Sequence, residues 1–418
     1  MLMKGLEQFA GKRVLLLQGP MGPFFWRLRN DLTEAGARVF KVNFNAGDWF
    51  FYPRDAINYR GSMEDWPDSF ERLIERLGID IVLLYGDCRP MHRAAHSIAI
   101  QYGLKIGVFE EGYVRPDYIT LERFGVNGYS LLPQSPEFYH WEAPRIPEEQ
   151  DVGNSFWRWM AFTILYDLMG ALGKPWFRRY QHHRPFTLLE GLPWIRSAWR
   201  KAKYLWLERG VQEQLTGEWR QRYFLVPLQV FNDTQITVHA DSGVAQFIEN
   251  TLLSFARHAP AGTLLVFKHH PMDRGYCDYA DLIRRVAERV GVTARVRYIH
   301  DQHLPTLLRH TRGVVLVNST VGLSALFHGA PTKVCGNAFY NIPGLVYQGA
   351  LDDFWEAAPK AKPDRKLFKK FRAHLIARTQ INGSYYRKLK QSGTHSGLIW
   401  GNRTPVVEQP NLQTLEFE

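Results

Sequence analysis

Short, unbroken apolar runs recur along this chain, with helical stretches between them. KRVLLLQ (Lys12–Gln18), Ala37–Phe44, IDIVLLY (Ile79–Tyr85) and Ile106–Phe109 have the length and aliphatic content of buried strands. Phe24–Ala35, Phe70–Leu77 and Met91–Tyr102 separate them as helices. Strand, helix, strand at this spacing requires crossover connections, and crossovers give a mostly parallel sheet.

The pattern stops near residue 133 and resumes at 223. Tyr223–Leu228, Thr263–Lys268, Val296–Ile299, Gly313–Val317 and Thr332–Val334 read as strands. Gly243–His258, Tyr279–Val290, Leu304–His310 and Val321–His328 read as the helices between them. At 418 residues the chain exceeds one simple core, so two or three domains are expected. The expected layout is an N-terminal Rossmann-like domain over 1–132, then a helical basic and aromatic insertion over 133–222. A second Rossmann-like domain over 223–350, C-terminal helices over 351–390 and a tail over 391–418 complete it. Two such domains with a long connection point to a cleft enzyme, and ligands in these sheets bind beyond the carboxyl ends of the strands.

The polar motifs fall at those ends. After Ile106–Phe109 come Glu110 and Glu111, then Gly112, which lets the chain turn sharply, and Arg115 before Pro116. Two adjacent like charges raise the proton affinity of one of them, which suits a proton donor or acceptor. In the second half, Gln229–Gln235 (QVFNDTQ) offers Asp233 with Gln229, Asn232 and Gln235. Lys268–Pro271 is KHHP, and Asn318–Gly322 is NSTVG opening a helix at Ser319 or Thr320. Hydroxyls and free N–H groups at a helix start can meet an anion. Taken singly, Asp233 could cap a turn, His270 could be a core histidine, and Ser319 and Thr320 could be a plain N-cap. The signal is that all of them sit at strand ends.

Together they describe a GT-B-like α/β transferase, two Rossmann-type domains facing a cleft, with the helical aromatic and basic insertion between them. No D-x-D metal motif is present. The leaving phosphate would therefore be met by Lys268, His270 and the helix start at Ser319–Thr320, with no metal and no cofactor. A retaining transfer would need either a nucleophile opposite the leaving group or a front-face mechanism, and Asp233 is the only carboxylate in the second-half motifs well placed to be that nucleophile.

The wording and order of EEGYVRP, QVFNDTQ, KHHP and NSTVGLSAL resemble the bacterial capsule-polysaccharide β-Kdo transferases of the KpsS and KpsC type, over residues 12 to 390 and most weakly over 133–222. The chain length and the wording EEGYVRPDYITLE are most similar to the KpsS branch. The resemblance implies a CMP-Kdo donor, retention at the anomeric carbon and a first Kdo placed on a lyso-phosphatidylglycerol anchor. It implies a cytoplasmic chain, peripheral at the inner face of the inner membrane, working with other capsule biosynthesis and export proteins. By the same resemblance Glu111 is the general acid/base, tuned by Glu110, and Asp233 attacks the anomeric carbon. His270 and Pro271 meet the CMP phosphate, and Ser319 and Thr320 form a second phosphate element. Lys268, Asn318 and Gln229 complete the donor set. His269 stands where relatives often carry proline or another small residue, so both imidazoles remain candidates. Arg115 is added as a partner for the Kdo carboxylate. Rival readings are another GT-B enzyme with a CMP- or CDP-activated donor (sialyltransferase-like or CDP-glycerol-using) and a non-catalytic export factor.

Net charge is +11, from 52 basic and 41 acidic residues, which favours anionic partners. No nucleic-acid motif accompanies it, so nucleic acid is not expected as a partner. Three scattered cysteines, Cys88, Cys277 and Cys335, give neither a disulfide framework nor a zinc site. Val14–Leu17 is too short for a signal-peptide core, and Trp159–Gly173 is too short to span a bilayer. Trp176–Arg209 instead holds eight Lys or Arg, two acids and eight aromatics. On a helix, Ile195, Trp199, Ala202 and Trp206 share a face, with Arg196, Arg200 and Lys203 beside it. Trp194, Trp199, Arg200 and Trp206 are the expected contacts with an anionic membrane and its phospholipid acceptor. A helix packed on the protein's own core is the alternative.

Overall fold

The computed structural model describes residues 5–140, 143–146, 148–181, 191–231 and 243–401. Its strands, in chain order, are β1 (Arg13–Leu16), β2 (Arg38–Asn43), β3 (Ile57–Asn58), β4 (Ile81–Tyr85), β5 (Lys105–Glu111) and β6 (Tyr118–Arg123). They continue as β7 (Tyr223–Pro227), β8 (Leu264–Lys268), β9 (Val296–Ile299), β10 (Gly313–Leu316), β11 (Thr332–Val334) and β12 (Gln380–Asn382). The chain divides into two compact units. The first is Met1–Leu131, Pro144–Leu188 and Ala373–Glu418; the second is Leu132–Ala143 and Leu189–Arg372.

The first unit holds a seven-stranded sheet in the order β12-β6-β5-β4-β1-β2-β3. β1 to β5 pair in parallel. Their order reverses beside β1, between β1 and β4, which is the doubly wound arrangement. β4 (IVLLY) shows why: Ile81 to Leu84 are all buried, as a strand covered by helices on both faces must be. One face packs Phe24, Phe25 and Leu28 of the helix Phe24–Glu34, and the other packs Trp66, Phe70 and Leu73 of the helix Trp66–Leu77. β6 returns antiparallel to β5, with Glu110 opposite Thr120 and Glu111 opposite Ile119. Gly112 makes that return possible, because a Cβ there would stand 1.9 Å from the Tyr118 carbonyl oxygen. β12 then pairs antiparallel with β6.

The second unit is a five-stranded parallel sheet, β11-β10-β7-β8-β9, with its reversal between β7 and β10. Phe224, Val226, Phe267 and Val315 from its strands are buried against Phe255, Phe354 and Trp355.

Three features differ from the sequence expectation. The stretch 133–222, expected as one insertion, is shared between the units, with 144–188 in the first and 133–143 and 189–222 in the second. The antiparallel strands β6 and β12 were not anticipated; Gln380–Asn382 is too short to show a period and is held by pairing with β6, by Ile381 in the core and by side-chain bonds of Gln380 and Asn382. Of the expected tail, Leu398 and Trp400 are buried in the core of the first unit, Trp400 against Phe9.

Candidate functional site

The carboxyl edge of the first sheet carries the acid pair at the end of β5. The Glu111 carboxylate accepts from two phenols, Tyr386 at 2.9 Å and Tyr85 at 3.2 Å. Two aromatic donors from separate segments thus fix its direction. The Glu110 carboxylate accepts from the Glu111 backbone N–H at 2.9 Å, and Tyr385 donates to the Glu110 carbonyl at 2.6 Å. Burial pushes the Glu110 carboxyl up to about 7, against that N–H and with the charge of Glu111 adding to the rise. A carboxyl that exchanges its proton near neutrality stands beside one held by hydroxyls. Arg115 is exposed, and its Nε donates to the Gly112 carbonyl at 3.0 Å, closing the turn after the pair.

Sequence reasoning missed a second polar cluster, at the strand reversal of the same sheet. Gln18, just after β1, donates through Nε2 to the hydroxyls of Tyr166 at 2.8 Å and Tyr180 at 3.1 Å. Its Oε1 accepts from Arg89, just after β4, at 2.7 Å. Tyr166 donates in turn to Asp48 at 3.0 Å, and the guanidinium of Arg89 lies over the Tyr85 ring. Lys41, buried nearby, is lowered to about 8 by that burial, opposed by Asp48. The residues come from five separated segments, and only the doubly wound strand order brings them together. The Gly-Pro turn after Gln18 was the one visible signal.

In the second unit the expected donor-site residues take distinct places. Lys268 ends β8 with its side chain buried, and Nζ donates to the His300 carbonyl at 2.9 Å. Burial lowers its pKa. His269 is buried, its Nδ1 2.6 Å from the Tyr298 hydroxyl, and burial pushes it down to about 3, so it stays neutral. His270 is only half-buried and accepts from the Met272 N–H at 3.2 Å, at the head of a short turn that Pro271 begins. Of the two imidazoles, His270 is the one presented at the strand end. Gln229, after β7, donates to Asn318, after β10, at 2.9 Å. Ser319 Oγ accepts from the Val321 N–H at 3.2 Å, so the hydroxyl of Ser319, rather than that of Thr320, turns toward the start of the helix Val321–Phe327. Asp233, with Asn232 and Gln235, lies outside the described residues.

The helix Gly191–Leu207 belongs to the second unit. Ile195, Trp199 and Trp206 are exposed, by 68%, 62% and 64%, whereas Trp194 is half-buried. Arg196 donates to the Gly275 carbonyl at 2.6 Å, and Arg200 to the Arg274 carbonyl at 2.9 Å with an ion pair to Asp278 at 3.4 Å. These two arginines tether the helix to the loop after β8. Tyr204 stacks on His300 at 3.4 Å, completing the attachment. Among the described residues, no three His, Cys, Asp or Glu side chains form a group that could hold a metal ion.

The sequence profile of the family described as capsule polysaccharide biosynthesis protein matches residues 80–386, an interval that takes in the acid pair, KHHP and NSTVG. The chain belongs to that family. Capsule polysaccharide export protein KpsS of Escherichia coli is 44% identical over 382 residues, covering 90% of this chain and 97% of that one. Capsule polysaccharide modification protein LipB of Neisseria meningitidis serogroup A is 39% identical, covering 91% of this chain and 93% of that one. A solved structure of Thermosulfurimonas dismutans KpsC, beta Kdo 2,7 transferase, aligns with a TM-score of 0.45 at 14% identity over 91% of this chain and 94% of that one. So distant a likeness speaks to neither donor nor acceptor. Family membership ties the chain to capsule polysaccharide biosynthesis.

Proposed function

We propose that this family member is a retaining β-Kdo glycosyltransferase, taking Kdo from CMP-Kdo and adding the first residue to a (lyso)phosphatidylglycerol anchor for capsular polysaccharide. The observation that carries the reading is the acid pair, where Glu110 is poised near neutrality beside a Glu111 oriented by two phenols. The motif resemblance and the Escherichia coli and Neisseria relatives support the pathway.

In this reading the Asp233 carboxylate attacks the anomeric carbon while the bond to the CMP phosphate oxygen breaks. The phosphate takes that electron pair, and its charge is met by His270 and by the donors around Ser319 and Thr320. An acceptor hydroxyl then gives its proton to the glutamate pair, and its oxygen displaces Asp233. Two inversions amount to retention. No metal takes part. The reaction belongs at the inner face of the inner membrane, where other capsule biosynthesis and export proteins would receive the glycolipid.

The deciding experiment incubates the purified chain with CMP-Kdo and a short-chain lyso-phosphatidylglycerol and reads the product by mass spectrometry. One added Kdo is expected, unaffected by EDTA and lost in Asp233→Asn with CMP affinity retained. Activity with a different CMP- or CDP-linked donor would move the chain to another transferase class. No transfer from any such donor would leave the export role named for the Escherichia coli relative.

A further inference from the structure

The helix Phe156–Leu172 of the first unit is apolar on both sides. Its buried residues, Thr163, Tyr166 and Gly170, share one side. The helix meets the short helix Ala46–Phe51 closely: a Cβ on Gly47 would stand 2.8 Å from the Tyr166 ring, and one on Gly173 would stand 2.0 Å from Ala46 Cβ. On the opposite side, Trp157, Ala161, Ile164, Leu165, Leu168 and Leu172 fall within an arc of about 100° at helical spacing. No polar residue falls within that arc. Trp157 is 70% exposed, Ile164 49% and Leu172 55%. Trp49 and Phe50 of the short helix and Trp176 beyond the long one are exposed as well.

A helix of a water-facing surface puts polar residues outward, so this one is built for a different neighbour. Its margins say which. Trp157 with Arg158 stands at one end, and Lys174, Trp176, Arg178 and Arg179 stand at the other, all exposed. The single acid over 155–181 is Asp167, which lies off the arc. Tryptophans and cations bordering an apolar strip match the headgroup level of an anionic bilayer. Seventeen residues span roughly 25 Å, and the contact with Ala46–Phe51 occupies the opposite side. Among the described residues, no helix is long and apolar enough to cross a membrane.

We propose that this face seats the first unit on an anionic phospholipid bilayer, with its arc in the upper acyl layer and Arg158, Lys174 and Arg178 on lipid phosphates. The proposal depends on the lipid-acceptor reading above only for why a bilayer is the site of work. Its test uses neither donor nor turnover.

The purified full chain is sedimented with phosphatidylcholine vesicles, with and without about one-third phosphatidylglycerol. Pelleting with the anionic vesicles is expected, weakened by salt. Ile164→Ser with Leu168→Ser removes apolar surface only from the exposed arc and should lower partitioning by about tenfold or more with the melting temperature unchanged. Trp157→Ser with Trp176→Ser, at the two margins, should act the same way. A folded double variant that pellets like wild type overturns the proposal. So does early melting of both variants, which would place the arc in a core, and so does a wild-type dimer that the variants dissolve while vesicle binding persists. Vesicle binding through this face without sugar transfer would sink the proposed activity and leave the surface standing.

Discussion

Gln229 and Asn318 join the two strands that flank the order reversal of the second unit. Gln229 Nε2 donates to Asn318 Oδ1 at 2.9 Å, and the Asn318 backbone N–H returns a longer bond to Gln229 Oε1 at 3.4 Å. Doubly wound sheets bind ligands at such a reversal, where the loops diverge. The pair fixes the separation of β7 and β10 there.

Breaking the pair should be felt in both stability and binding. Asn318→Ala is expected to cost about 1–3 kcal/mol of unfolding free energy and to weaken CMP binding. The double variant with Gln229→Ala should cost less than the sum of the singles, by about 1 kcal/mol. Denaturant melts and CMP calorimetry of all four forms measure it; strict additivity would show that the two amides do not act together.

The two adjacent histidines should separate cleanly. His270→Ala is expected to leave the melting temperature alone and weaken CMP binding by about 10- to 100-fold, as loss of a hydrogen bond to a charged group does. His269→Ala removes a buried ring packed on Tyr298 and should lower the melting temperature first. The reverse pattern would make His269 the nucleotide contact.

Much of this was legible in the sequence because strand ends announce themselves. Apolar runs such as Ile81–Leu84 could only be buried strands, and polar residues directly after them had to stand at a carboxyl edge. The adjacency of Gln229 and Asn318 was not legible, since 89 residues separate them and only parallel pairing of β7 with β10 makes them neighbours. The Gln18, Asp48, Tyr166 and Tyr180 cluster failed for the same reason. The apolar stretch Trp159–Gly173 falls within or beside the helix Phe156–Leu172, but an all-round apolar sequence says nothing about which side is covered. Leu398 and Trp400 looked like tail because the three-residue apolar run Leu398–Trp400, flanked by glycines, is too short to show a period.

Gly112 should tolerate no side chain. With the Tyr118 carbonyl oxygen 1.9 Å from where a Cβ would stand, Gly112→Ala must push β5 and β6 apart, at a cost of about 3 kcal/mol or more. Thermal unfolding and transfer activity should fall together. A variant with native stability would mean that the turn is not as tight as the structure has it.

Stability should decline as pH rises from about 4.5 to about 7. Burial holds Glu122 up to about 7 against an ordinary 4.5, opposed by the hydroxyls of Ser130 and Tyr113, which donate to its carboxylate. Glu110 is raised to a similar value, first by burial. A folded form with raised pKa keeps protons that the unfolded chain releases. Its stabilising contribution is therefore complete below 4.5 and is lost as pH rises to about 7. Over that window Glu122 alone should cost about 1 kcal/mol per pH unit. Glu122→Gln should flatten the profile; an unchanged slope would assign the dependence to other groups.

The helix Gly191–Leu207 divides its cations and aromatics between two tasks. Arg196 and Arg200 bond to carbonyls after β8, so charge reversal there should unfasten the helix. Trp199 and Trp206 are exposed and do no such holding, while Lys203 lies over the Trp199 ring at 5.4 Å. Trp199→Glu with Trp206→Glu should therefore leave the melting temperature unchanged. If this helix also meets the anionic surface on which the proposed acceptor resides, the double variant should lose vesicle binding yet still transfer to a short-chain, soluble acceptor. Arg200→Glu should instead lower the melting temperature and impair transfer to both acceptors, because the loop it holds follows His270. Normal sedimentation of the tryptophan variant with anionic vesicles would remove this helix from the membrane contact and leave it as an attachment of the second unit alone.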